Sequence, residues 1–471
     1  MTRLTGLDAS FLAFEAAGAH MHVGSVLVFE GPAPDYEAFK DRIERGLHSV
    51  PRYRQRLAFP PLGAARPVWV DDPHFNVGYH VRHTALPGAA GDEELRALAG
   101  RLFAQQLDRD KPLWEIWLVD TMGDGRFALI CKTHHALVDG ISGVDILSVL
   151  LDLTPDADEP PPAPPWSPRP LPSGAELLAD GVIERVTAPI RFLRGVLAAP
   201  DRAGAEAGRS VAGLASMLAA GVAGAPPSPL NVRIGPHRRF AWVSADLATF
   251  KAVKDALGGT INDAVLTVVT GALRCFLVRR GRDPEGVELK AMVPISVRAD
   301  AERGALGNRV AAMYAPLPVG LADPCSRFRY IHAAMAGLKE SGQAVGAQAI
   351  TRLADAAAPT VLSQAARLQS RQRWFNLTVT NVPGPQLPLF MMGRRLQAFY
   401  PKVPLVLNTA LGVAIMSYDG QLFFGLLGDY DALTDLDALA SDLDCAIREL
   451  AAGAGVHVPE RSAERAPVHT P

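Results

Sequence analysis

Apolar positions recur along this chain in two rhythms. Short runs rich in β-branched and apolar residues, at 23–29 and 128–132, have the composition of strands. Between them, 92–106 places Leu95, Leu98, Leu102 and Phe103 at helical spacing. The alternation returns later in the chain. A long helix is expected over 260–278, with Asn262 and Asp263 in its first turn, and a closing helix over 435–452. Strands are expected over 291–297, 375–380, 403–418 and 422–427, with Asp419-Gly420 forming a hairpin turn between the last two. The class is α/β.

The two patterned halves are separated by a stretch in which nine of eighteen residues, 155–172, are proline. Proline fixes φ and lacks an N–H, so this reads as an extended linker of polyproline character. Beyond it, 175–197 is amphipathic, with Arg185, Arg191 and Arg194 interrupting an apolar pattern and Pro189 set to kink or divide it. The stretch 210–232 carries no charged residue, but Pro226 and Pro227 cut its apolar run to about sixteen. A spanning helix needs roughly 20, so a transmembrane reading is rejected. A helix packed on the core and a lipid-facing surface element both remain open. The expected organisation is an N-terminal subdomain over 1–153, a linker with helices over 154–235, a second subdomain over 236–452, and a disordered tail over 453–471.

Composition narrows the function classes. With 471 residues, 48% hydrophobic and 20% charged, the chain can bury a large core, which excludes disorder along its length. The net charge of −2 offers no basic field for nucleic acid. Four distant cysteines without a CxxC pair suggest a reduced, intracellular protein. Asp8 and Glu15 interrupt the region where a secretory signal would carry its apolar stretch, so the cytosol is the expected compartment.

The segment Thr133-His134-His135-Ala136-Leu137-Val138-Asp139-Gly140 concentrates the chemistry. An apolar strand enters it and an apolar helix leaves it, a favoured setting for reactive groups. On an extended strand adjacent histidines point in opposite directions, so one of them can face a given cavity. Histidine is the natural general base at neutral pH; two histidines and an aspartate hydrogen-bonded around a turn is the plain alternative. Gly140-Ile141-Ser142-Gly143-Val144 lacks the final glycine of GxSxG, so Ser142 is not read as a hydrolase nucleophile. His20 and His22 lack the further ligands zinc needs, and no metal is expected. No phosphate-loop or dinucleotide fingerprint occurs. The basic clusters at 237–239, 279–280 and 394–395 read as solvated surface, or as partners for phosphate groups or anionic lipid. Asn262 and Asp263 suit a helix cap as well as a site, and Trp114 suits core packing as well as the lining of a cavity.

His134-His135 with Asp139-Gly140 forms HHxxxDG, which resembles the active-site motif of the wax ester synthase/diacylglycerol acyltransferase family. LTGLDAS at 4–10, HMHVG at 20–24, Pro112-Leu113-Trp114, Asn262-Asp263, PISVR at 294–298 and NVPGP at 381–385 resemble further motifs of that family, in the same order along nearly the whole chain. The resemblance implies a chloramphenicol-acetyltransferase-like fold, two related subdomains with an active-site tunnel between them. It implies an O-acyltransferase that takes acyl-CoA as co-substrate and no bound cofactor, with diacylglycerol or a long-chain fatty alcohol as acceptor. It assigns His135 as the proton acceptor and His134 as a supporting residue. Asp139 would orient the loop, with Arg298 as its partner. Gly140, Asn262, Asp263, Thr380, Asn381 and Trp114 would shape the site. Work at the inner membrane or on lipid droplets, as a peripheral protein, is expected from such substrates. A condensation-type enzyme using a carrier protein or polar acceptor is the alternative, followed by a non-catalytic lipid-binding protein.

Overall fold

The computed structural model describes residues 1–15, 18–63, 65–88, 90–138, 146–158, 160–183, 187, 224–296, 310–340 and 373–458. Two six-stranded sheets dominate. The first runs in the order β12 (Phe390–Met391), β13 (Arg394–Lys402), β2 (His22–Phe29), β7 (Phe127–His134), β6 (Trp114–Val119), β5 (Val81–Thr84). The second runs β10 (Val310–Leu317), β9 (Leu289–Ser296), β11 (Leu377–Pro383), β14 (Leu411–Tyr418), β15 (Gln421–Asp429), β8 (Arg238–Asp246). A small sheet of β1 (Thr2–Arg3), β4 (Val68–Asp71) and β3 (Gln55–Ala58) adjoins the first.

All eight residues of β7 are buried. That is why Phe127–Cys131 reads as a continuous apolar run: a central strand covered on both faces has no polar side to show. Helices α1 (Gly6–Phe14), α2 (Tyr36–Gly46), α3 (Val77–His80), α4 (Asp92–Ala104) and α5 (Ile146–Leu150) accompany the first sheet. In the second half come α6 (Leu247–Leu257), α7 (Ile261–Arg279), α8 (Pro324–Glu340) and α9 (Leu436–Gly453). Side chains of α7 (Val269, Ala272, Leu273) and α9 (Leu439, Leu443) meet Leu411, Val413 and Leu426 of β14 and β15. Helix α7 is long and apolar enough to cross a membrane, but 72% of its apolar window is buried within the protein, as a core helix requires.

The halves are stitched together by strand exchange. Residues 390–402 lie within the second half of the chain, yet β12 and β13 complete the first sheet, with β13 antiparallel to β2. Gly425 of β15 permits the junction, because a Cβ there would lie 1.8 Å from the Pro401 carbonyl oxygen. The hairpin at 419–420 forms as expected, with Asp419 at φ 43° and Gly420 at φ 77° joining Tyr418 to its pair Gln421. The strand expected over 403–418 begins only at Leu411. Residues 403–410 leave the sheet, where Pro404 has no N–H to donate to a ladder. The helix expected from 175 is present over 174–183, and its continuation, like most of 210–232, lies outside the described residues.

Candidate active site

Strand β7 ends at His134, which pairs across the ladder with His22 at the start of β2. The chain then turns. The His135 N–H donates to the Met21 carbonyl (2.8 Å), and Leu137 N–H to the His134 carbonyl (2.9 Å). Ala136 N–H donates to His134 Nδ1 (3.0 Å), so that nitrogen is an acceptor and the ring proton sits on Nε2. His134 Nε2 lies 3.3 Å from Glu15 Oε1, and His22 Nε2 lies 3.6 Å from the same oxygen. The His22 and His134 rings meet edge-on at 5.7 Å, and His20 stacks on His22 at 5.5 Å.

Glu15 caps the C-terminal end of α1 and its side chain is 3% exposed. Its Oε1 accepts from Met21 N–H (3.0 Å), and its Oε2 from Arg109 Nε (3.1 Å). Burial alone would raise the carboxyl pKa, but His134 and Arg109 together bring it down to about 2. Glu15 is therefore a carboxylate under all ordinary conditions. The same helix supplies Phe11, whose ring stacks on His135 with centroids 3.9 Å apart and planes 16° from parallel.

His135 is half-buried, and its Nδ1 is enclosed without a hydrogen-bond partner among the described residues. Burial depresses its pKa to about 4, with His134 and Lys402 acting in the same direction and its own backbone carbonyl opposing them. The imidazole is neutral at pH 7 and free to accept a proton. Cations deepen this environment. Lys402, at the end of β13, is buried and donates to the His22 carbonyl. Burial, then Arg238 and Lys132, hold its pKa well below the usual lysine value. Lys132 is 1% exposed, with Nζ 3.2 Å from Glu115 Oε2.

The other expected residues are distributed unevenly. Asp139, Gly140 and Arg298 lie outside the described residues. Trp114 is 1% exposed, on the strand beside Thr133 rather than on the face of His134. Its Nε1 donates to the Tyr53 carbonyl (2.8 Å) and its ring stacks on His80 (4.6 Å), so its surroundings are those of packed core. Asp263 completes a capping box with Thr260 at the start of α7, and its Oδ2 also lies 2.9 Å from His332 Nδ1. Asn262 beside it is half-buried, as are Thr380 and Asn381 in the middle of β11. A cavity of about 480 Å³ between α2 and the proline-rich segment, lined in part by Arg54, Phe75 and Trp166, holds none of the expected site residues.

Of the basic clusters read as solvated surface, Arg238 is internal, His237 and Arg279 are exposed, and the others are half-buried and hydrogen-bonded. Arg238 is buried and donates to the carbonyls of Gly235, His237 and Gly18. Arg279 and Arg280 pair with Asp442 and Asp435, and Arg395 pairs with Asp419. Among the described residues, no three His, Cys, Asp or Glu side chains converge as a metal ion requires. The residue that reading along the chain missed is Glu15. Its acidity was noticed only as an interruption of an apolar stretch, and no local spacing links it to a histidine pair far downstream.

Comparison with known proteins places this geometry. The profile of the wax ester synthase/diacylglycerol acyltransferase catalytic domain matches residues 4–265, and that of the WS/DGAT C-terminal domain matches 306–451. A Mycobacterium tuberculosis protein carrying the name diacylglycerol O-acyltransferase tgs1 is 33% identical over 464 residues, covering 96% of each chain. The solved wax ester synthase/diacylglycerol acyltransferase of Marinobacter aquaeolei VT8 superposes with a TM-score of 0.69 at 28% identity, over 97% of this chain and all of that one. The starter condensation domain of rhizomide synthetase, solved with C8-CoA, shares the fold at 15% identity, with a TM-score of 0.57 over 96% and 94% of the two chains.

Proposed function

Because the chain belongs to the wax ester synthase/diacylglycerol acyltransferase family and is an acyltransferase, we propose that it esterifies diacylglycerol, long-chain fatty alcohol or both with the acyl group of acyl-CoA, using His135 as general base. The observation that carries this reading is the state of His135. It stands at the strand end on a turn pinned at consecutive amides, its ring is backed by Phe11, and burial keeps the imidazole unprotonated.

The chemistry then runs as a direct transfer. His135 takes the proton from the acceptor hydroxyl as its oxygen adds to the thioester carbonyl, forming the new C–O bond. Enclosure of Nδ1 leaves Nε2 to receive that proton. The tetrahedral oxyanion collapses, the C–S bond breaks, and the imidazolium returns the proton to the departing thiolate of CoA. Atoms and charge balance without an acyl-enzyme, and Ser142 has no part in it. A positioned base of this kind contributes about 10²–10⁴-fold. His134 supports the turn from below, with its Nδ1 held by the Ala136 amide. Asn262, Thr380 and Asn381 are polar candidates for the wall of the site, and Asp139 with Arg298 for the loop's orientation.

An acceptor insoluble in water is met at a lipid surface, so the protein works as a peripheral protein on the inner face of a membrane or on lipid droplets. The fully exposed Leu62 and the exposed Phe59, Val182 and Ile183 are consistent with such a contact.

The test gives the protein labelled palmitoyl-CoA with diolein or hexadecanol and follows both ester and free CoA. Labelled triacylglycerol or wax ester is expected from the parent, with no label remaining on denatured protein. Covalently retained label would replace direct transfer with an acyl-enzyme. CoA release only with a polar or carrier-bound acceptor would favour a condensation-type role.

A further inference from the structure

We propose that helix α1 is the mount of the catalytic imidazole, with Glu15 as its positioning residue. This rests on His135 being the base. Three separate contacts converge from this one nine-residue helix and its cap. Phe11 covers a face of the His135 ring at 3.9 Å. Glu15 Oε1 accepts from Met21 N–H, and the carbonyl of that same Met21 receives the His135 N–H. Glu15 Oε1 also faces His134 Nε2 at 3.3 Å, while the opposite nitrogen of that ring receives the Ala136 N–H. One carboxylate oxygen thus reaches, through a single intermediary each, the backbone amide of the base and the amide that follows it.

The division of labour between the two oxygens argues against a simple surface anchor. Arg109 engages Oε2, but its side chain is 37% exposed, and a pair with one partner so exposed stabilises little. Burying a carboxylate to 3% exposure costs more than such a pair returns unless the other oxygen is used as well. Oε1 is used: among the described residues it faces His134 at the turn and Met21 and His22 at the adjoining start of β2. Because His134 Nδ1 must remain an acceptor for Ala136, its proton must stay on Nε2, and a carboxylate facing Nε2 favours that tautomer. Glu15 touches no reacting atom in this account. It acts through His134 and Met21.

The experiment compares Glu15→Ala, Glu15→Gln and His135→Ala with the parent in the diolein and hexadecanol assays. Misplacing a catalytic group by about 1 Å can cost on the order of 100-fold. Glu15→Ala is therefore expected to lower kcat about 100-fold with KM for palmitoyl-CoA within twofold. Glu15→Gln keeps an oxygen for Met21 N–H and loses the charge and the Oε2 acceptor that Arg109 uses, so about tenfold of the rate should return. A folded Glu15→Ala enzyme with parental kcat, or one whose loss lies in KM alone, overturns the proposal. Should Glu15→Ala fail to fold, Glu15→Gln decides: parental kcat with a parental melting temperature sinks the idea, and a lowered kcat supports it. His135→Ala separates the two layers. If it retains the parental rate, the reading of the base fails; if it is inactive while Glu15→Ala keeps the parental kcat, the mount alone fails.

Discussion

The two six-stranded sheets share an architecture and differ in what they bury. In the second, β14 and β15 present Leu411, Val413 and Leu426 to α7 and α9, Ile415 and Leu427 are as nearly inaccessible, and the buried charges among its described residues are the pair Arg238–Asp429. In the first, the equally buried β7 and its neighbours carry His22, Glu115, Lys132, His134 and Lys402. An apolar side chain buried in the second sheet contributes about 1.5–3 kcal/mol. A charge buried in the first costs free energy unless it is paired. The denser packing of histidines, lysines and carboxylates is on the sheet that carries the proposed base.

Paired substitutions should divide along that line. His135→Ala is expected to lower kcat by about 10²–10⁴-fold while changing the melting temperature far less than a core truncation does, since the ring is only half-buried. Ile415→Ala, in the apolar sheet, should do the reverse. A fully buried isoleucine truncated to alanine costs about 2–5 kcal/mol, read as a shift of the urea midpoint, with kcat of the folded fraction unchanged. If Ile415→Ala lowered kcat as much as stability, the working residues would not be confined to the first sheet.

Acid offers a third way to part the sheets. His80 and His135 have pKa values near 4, and His20 and His22 are also depressed, burial being the leading cause in each. Unfolded, all four titrate near 6.5. As pH falls from about 6.5 towards 4 the unfolded chain takes up protons that the native one refuses, so stability falls with pH in this window, by about 1.4 kcal/mol per pH unit for each such proton. Glu15 works at lower pH: its native value near 2 means its contribution is intact above about 4.5 and is lost only as pH drops towards 2. Urea midpoints at pH 7.0, 5.5 and 4.5 should decline steadily. A constant midpoint would mean that these imidazoles ionise as freely inside as outside. The acid limb of kcat/KM should likewise lie well below pH 6, because His135 stays a base down to about pH 4.

Reading along the chain reached some of this and stopped at identifiable points. The histidine pair at a strand end, the 419–420 turn and the cap at 260–263 are local patterns, and each formed where the residues placed it. Glu15 and Lys402 were beyond reach because what gives them meaning is tertiary. One lies 94 residues from the Arg109 that helps neutralise it, and the other 380 residues from the carbonyl it meets. The same holds for β13. No strand is expected there from the sequence, where 394–395 stand out only as a basic pair, and nothing in a period of two says which sheet a strand joins. Arg238 misled for a related reason: it stands in a basic run that resembles a surface until Asp429, far along the chain, comes to meet it.

The smallest effect sharpens the comparison most, because it asks whether a side chain packed within the first sheet has any part in the site. Trp114 lies on the side of β6 and β7 away from His134, donating to Tyr53 and stacked on His80. Trp114→Phe keeps an aromatic ring there and removes one buried hydrogen bond, leaving the Tyr53 carbonyl to find another donor. The expected cost is about 1 kcal/mol of stability. The distribution of ester products across acyl chains of eight to eighteen carbons should not move, because the ring is 1% exposed and taken up by its contacts with Tyr53 and His80. A changed chain-length preference at parental stability would bring Trp114 back to the tunnel wall.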